Sequence, residues 1–124
     1  MLFTLLMLFA SASYSQVFYA RAQSLKYGSI KQNKFTTLYE APVDVLVRGD
    51  KLSLTIYSKD LQEYVIMNYR GKEKKIDSWT VIDRKGNIAI LHIITPNEED
   101  NVIVIGIEYD DVAWMYTCLL EKIQ

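Results

Sequence analysis

The sequence predicts an all-β fold: an antiparallel meander of about eight strands, closed as an up-and-down barrel or stacked as a two-sheet sandwich. Three observations carry this. Runs of about five to nine residues rich in Val, Ile, Tyr and Thr recur from Val43 onward, and these residue types suit a pleated, partly buried surface. Turn-forming clusters separate the runs at short intervals, and short connections imply antiparallel neighbours, because a parallel pair needs a long crossover. No window shows a sustained helical period with caps.

Before the strands comes MLFTLLMLFASASYSQ, a stretch without a charged side chain. Leu2 to Ala10 is apolar and small residues follow, which is the build of a secretory leader. The run is much shorter than the roughly 20 residues a helix needs to cross a bilayer. Ala10/Ala12, Ser11/Ser13 and Ser13/Ser15 each offer the small pair a signal peptidase requires. The expectation is a signal peptide over residues 1–15, Gln16 as the new N-terminus, and one β domain over 16–124. That domain is secreted or periplasmic, with no transmembrane segment in the mature chain.

The elements follow in order. Val17 to Tyr39 adds one or two strands, around Gly28 and around Lys31-Gln32-Asn33-Lys34. Seven strands are expected from Val43 onward. Arg48-Gly49-Asp50-Lys51 parts VDVLV from LSLTIY, and Ser58-Lys59-Asp60 parts that strand from LQEYVIMNY. Residues 70–74, 83–87, 95–101 and 110–111 mark the later turns. A short helical turn is weighed at Ser58 to Glu63. Leu52, Leu54 and Ile56 share one face against Ser53, Thr55 and Tyr57, so this strand has one wet side. Later strands differ. Ile88, Ile90, His92 and Ile94 oppose Ala89, Leu91 and Ile93, and Val102 and Val104 oppose Ile103, Ile105 and Ile107. Strands apolar on both faces need shelter on both, from a thick core or from an interface.

Composition narrows the function classes. Fourteen basic and fifteen acidic residues give a formal charge of −1, which is not the footprint of a nucleic-acid binder. The single cysteine, Cys118, lies in the apolar context MYTCLL and reads as a small buried hydrophobe. The single histidine, His92, has no second histidine nearby, so a zinc site or triad lacks partners in sequence, although Glu108, Asp110 or Asp111 could pair with it. Glu98-Glu99-Asp100-Asn101 and Asp110-Asp111 offer oxygen ligands, but a meander sets them at opposite ends of one strand, roughly 25–30 Å apart at about 3.3 Å per residue. They read as solvated turns. Arg48-Gly49-Asp50 spells an adhesion tripeptide, but a glycine between strands has a backbone reason to be there. Arg70, Lys72, Lys74 and Lys75 read as a turn that discourages edge pairing.

Three stretches resemble a group of small secreted proteins of flavobacteria and their relatives: TTLYEAPVDVLVRGDKLSLTIYSKDLQEYVI, SWTVIDRKGNIAILHI and VIVIGIEYDDVAWMY. The matching features are a leader ending at Gln16, the valine strand Val43 to Val47, Thr55 to Ser58, Trp79, the Asp83–Gly86 turn, and Trp114 with Tyr116. The resemblance implies secretion and a β fold. The group has no assigned activity, so no catalytic residue is carried over, and with one cysteine this chain has no internal disulfide.

Tyr and Trp join an apolar body to a polar tip and suit pocket walls. The expectation is therefore a non-catalytic binding module of the calycin (lipocalin-like) kind. It would hold a small apolar or amphipathic ligand at the barrel mouth, lined by Tyr64, Trp79, His92, Trp114 and Tyr116, with no cofactor or metal. The alternative is an interaction protein whose apolar C-terminal strands form a homodimer or partner interface. An enzyme is the remote third reading.

Overall fold

The computed structural model describes residues 17–97 and 100–123. The expected leader and its cleavage point lie outside the described residues, as do Glu98 and Glu99. Eight strands follow one another: β1 (Phe18–Lys31), β2 (Lys34–Gly49), β3 (Ser53–Ile56), β4 (Gln62–Glu73), β5 (Ile76–Ile82), β6 (Ile88–Asn97), β7 (Val102–Glu108) and β8 (Val112–Ile123). Each pairs antiparallel with the next, and β8 pairs with β1, so the sheet closes on itself. The expected all-β meander is observed.

Two expectations change. KFTTLYE and VDVLV are one strand, β2, running through Pro42. From Lys34 to Val45 this strand pairs with β1 alone, so it is an edge there, and an edge tolerates a residue without an N–H. No helical turn forms at Ser58 to Glu63. Instead the Ser58 hydroxyl donates to the Asp60 carbonyl at 2.6 Å and β4 starts at Gln62.

The turns follow local chemistry. Gln32 and Asn33 both have positive φ, 52° and 62°, which gives the two-residue hairpin loop whose twist matches its strands. Between β5 and β6, Asp83 Oδ1 accepts the amides of Lys85 and Asn87, each at 2.9 Å, and Gly86 takes φ 85°. Asp50 Oδ1 likewise accepts the amides of Leu52 and Ser53 at 2.8 and 2.9 Å. Its other oxygen receives Arg48 Nη1 at 3.1 Å, so the two charged ends of the adhesion-like tripeptide bind each other.

Strand alternation sends one set of side chains inward. Phe18, Ala20, Ala22, Val47, Leu54, Ile56, Trp79, Val81, Leu91, Ile93, Ile103, Ile105, Ile107 and Cys118 are buried in one cluster. They fill the lumen. Gly49 has its own reason: a Cβ there would meet Phe18 Cε2 at 2.2 Å, so the ring occupies the space a side chain would take. Outside, the shelter expected for the later strands is only partial. Ile90, Ile94, Val102 and Val104 are partly buried and Ile88 is 67% exposed. No second layer covers them among the described residues, because closing the ring already buries the inner face and leaves the outer one as the barrel's surface.

Candidate functional site

The first candidate is the barrel mouth beside the β3–β4, β5–β6 and β7–β8 connections. Gln62, the first residue of β4, is its hub. Its Oε1 accepts the Tyr64 hydroxyl at 2.7 Å and the Trp114 indole N–H at 3.0 Å. Its Nε2 donates to the Tyr116 hydroxyl at 2.9 Å and to Ser58 Oγ at 3.1 Å. The amide thus uses both acceptor sites and both donors. Tyr27 stacks on Trp114 from one side (centroids 6.1 Å) and Tyr109 tilts against it from the other (5.4 Å). The Tyr109 hydroxyl donates to Asp83 Oδ2 at 2.7 Å.

Of these groups Gln62, Tyr64, Asp83, Tyr109 and Trp114 line a hollow of about 350 Å³, together with Leu61, Arg84 and Asn87 among others. Burial raises the phenol pKa of Tyr64, Tyr116 and Tyr109, and the neighbouring Asp83 carboxylate adds to the rise at Tyr109. All three stay neutral at physiological pH; Tyr64 and Tyr109 donate their hydroxyls, and Tyr116 accepts from Gln62. Burial alone would raise the Asp83 carboxyl. The Tyr109 hydroxyl and the Asn87 and Lys85 amides together outweigh it and hold the group below its ordinary value.

The second candidate lies on the outer wall. Ser78, His92 and Glu108 come from three adjacent strands. Ser78 pairs directly with His92, and Gly106 stands opposite His92 on β7. Ser78 Oγ is 2.7 Å from His92 Nδ1, and His92 Nε2 is 2.7 Å from Glu108 Oε1. Of the three carboxylates considered from the sequence, Glu108 is the partner. An ionised carboxylate only accepts, so Nε2 carries its proton. Nδ1 then accepts from Ser78 when the ring is neutral and donates to it when charged. The row has the residue types of an acyl-transfer triad, but that chemistry also needs N–H donors aimed at a developing oxyanion. Ser78 pairs with Gly71 on one side, next to the ladder irregularity between Tyr69 and Gly71, and with His92 on the other.

Of the five expected lining residues, the structure brings together Tyr64, Trp114 and Tyr116. Trp79 is elsewhere, buried and tilted against Tyr69 at 5.4 Å. His92 points out of the barrel, because Leu91 and Ile93 on either side point in. Sequence reading missed Gln62, Asp83 and Ser78 as hydrogen-bond centres. A signal existed for Ser78: it alternates with Asp77 and Trp79 and so faces the same way as Ile76 and Thr80. Gln62 carried none, since two of its four partners, Trp114 and Tyr116, lie 52 and 54 positions away. Asp77, next to the basic turn, is 3% exposed and takes the Tyr69 hydroxyl and Lys72 Nζ.

No family model, curated protein or solved structure matches the chain.

Proposed function

We propose that the protein is a secreted, non-catalytic binding module that takes a small amphipathic ligand at the mouth of its barrel. One observation carries the reading: an aromatic-walled hollow of about 350 Å³ sits on a satisfied polar floor above a lumen already filled by side chains. That volume lies at the low end of small-molecule sites, roughly 300–1,000 Å³. The ring faces of Trp114 and Tyr109 offer apolar contact, and Asp83, Arg84 and Asn87 offer polar partners at the rim. Gln62 serves as floor and not as a ligand contact, since its bonds are all used. The uncharged leader supports export.

An interaction surface on β6 and β7 has less support. Their outward apolar side chains are mostly partly buried, and Ile88 stands out singly.

The test is a fluorescence titration with N-phenyl-1-naphthylamine, a neutral amphiphilic probe. Saturable binding to one site is expected. Trp114→Ala and the hollow-filling Leu61→Trp are each expected to weaken it about tenfold or more. Equal binding by wild type and both variants would refute the mouth as the site.

A further inference from the structure

We infer that the outer wall of the barrel holds a second site, a groove for a free single-chain anionic amphiphile: a carboxylate or phosphate head on a short hydrocarbon tail. The site is separate from the mouth and does not depend on that reading.

Two hollows adjoin on this wall and share Ile76 and His92. The smaller, about 200 Å³, is walled by Ile30, Phe35, Ile94, Ala113 and Met115. An apolar cavity of ~150 Å³ holds a benzene ring, so this end has room for a tail of about six carbons. It exists because small residues line the wall. Gly106 faces His92 and Met115 with no side chain between them, and Phe35 lies over Gly28, where a Cβ would come within 2.8 Å of the ring.

The larger hollow, about 580 Å³, is rimmed by Arg70, Lys72 and Lys74. Residues 70–75 carry four cations against one carboxylate, Glu73, which also lines the hollow. Lys72 is engaged with Asp77 at 3.2 Å. Among the described residues Arg70 bonds only the neutral Thr80 hydroxyl, at 3.3 Å. Among the described residues no carboxylate pairs with Arg70 or Lys74. A groove apolar at one end and cationic at the other fits a molecule with an anionic head and a greasy tail. His92 lies at the junction, with Ser78 lining the larger hollow and Glu108, hydrogen-bonded to His92 at 2.7 Å, lining the smaller. Its hydrogen bonds hold the imidazole in place, so the ring forms a fixed step between the two ends.

The test titrates octanoate, octyl phosphate, octanol and acetate against the full chain by amide-resolved NMR. Octanoate and octyl phosphate are expected to shift the amides of Ile94, Gly106 and Met115 and to bind about tenfold more tightly than octanol or acetate. Raising salt from about 0.05 to 0.5 M is expected to close most of the gap to octanol. Arg70→Ala with Lys74→Ala is expected to remove the preference for the charged head and leave octanol unchanged. Gly106→Leu fills the tail end. The space at this position accepts a Cβ, with nearest atoms at 3.6 and 3.7 Å, so the variant is expected to fold and to lose both probes. Octanoate bound no better than octanol, shifts confined to Gln62 and Trp114, or capture of anionic vesicles without binding of free octanoate would each overturn the inference.

Discussion

Gln62 shows how much one side chain can hold. It terminates the hydroxyls of Tyr64 and Tyr116 and the indole of Trp114, groups that would otherwise face a partly dry mouth. Gln62→Ala is expected to destabilise the fold by about 2–4 kcal/mol, measured by urea unfolding, since unpaired buried polar groups cost roughly 1–3 kcal/mol each. Two glycines separate steric need from mere presence. Gly49→Ala drives a Cβ into the Phe18 ring and is expected to cost about 1–3 kcal/mol. Gly106→Ala meets only ordinary contacts and is expected to be neutral or stabilising by up to about 1 kcal/mol, as glycine weakens a strand interior. Thr95 gives the opposite case. Its hydroxyl is buried and has no partner among the described residues, so Thr95→Val is expected to stabilise by about 1 kcal/mol in the same assay.

Cys118 makes the alkaline prediction. Burial pushes its thiol up to about 12 from an ordinary value near 9. A raised folded-state pKa favours the native state while the thiol is protonated. Its contribution is complete below the unfolded value, near 9, and is lost as pH climbs toward 12. Cys118→Ala is expected to flatten the fall in stability across that window. Intact native protein is expected to resist iodoacetamide at pH 8 and to react on unfolding. Rapid native alkylation would contradict the buried placement.

At the scale of elements, the strands were legible because their signal is local. Alternation separated the two faces of β6 and of β7 correctly, and the structure turns Leu91, Ile93, Ile103, Ile105 and Ile107 inward. The Asp83–Gly86 and Ser58–Asp60 turns were visible as clusters of turn formers. Pro42 misled, because a proline ends a central strand but not an edge, and which half of β2 is an edge depends on where the short β3 stops. His92 misled for a related reason. Its neighbours settle that it faces away from Leu91 and Ile93, but not which face is the lumen. The hydrogen-bond hub at Gln62 and the row from Ser78 to Glu108 depend on register across separate strands, which no local pattern encodes. The β1–β2 loop tests the local reading directly. Asn33→Gly suits the positive φ at that position, and is expected to add a few tenths of a kcal/mol to stability.

For the whole molecule, the consequence of ring closure is that inner and outer surfaces have different work. The inner surface is spent on stability: Trp79, Phe18 and the isoleucines of β7 are fully buried there. Trp79→Ala is expected to cost about 3–5 kcal/mol without touching either candidate site. Binding therefore belongs to places where the ring ends or where its outer wall is hollowed by small residues. The central claim is that a ligand sits on the mouth and never enters the barrel. Nuclear Overhauser effects between N-phenyl-1-naphthylamine and assigned side chains test it most directly. Contacts to Trp114, Tyr109 and Leu61 are expected, and none to Ile103, Ile105 or Leu91. Contacts to those three lumen residues would contradict it.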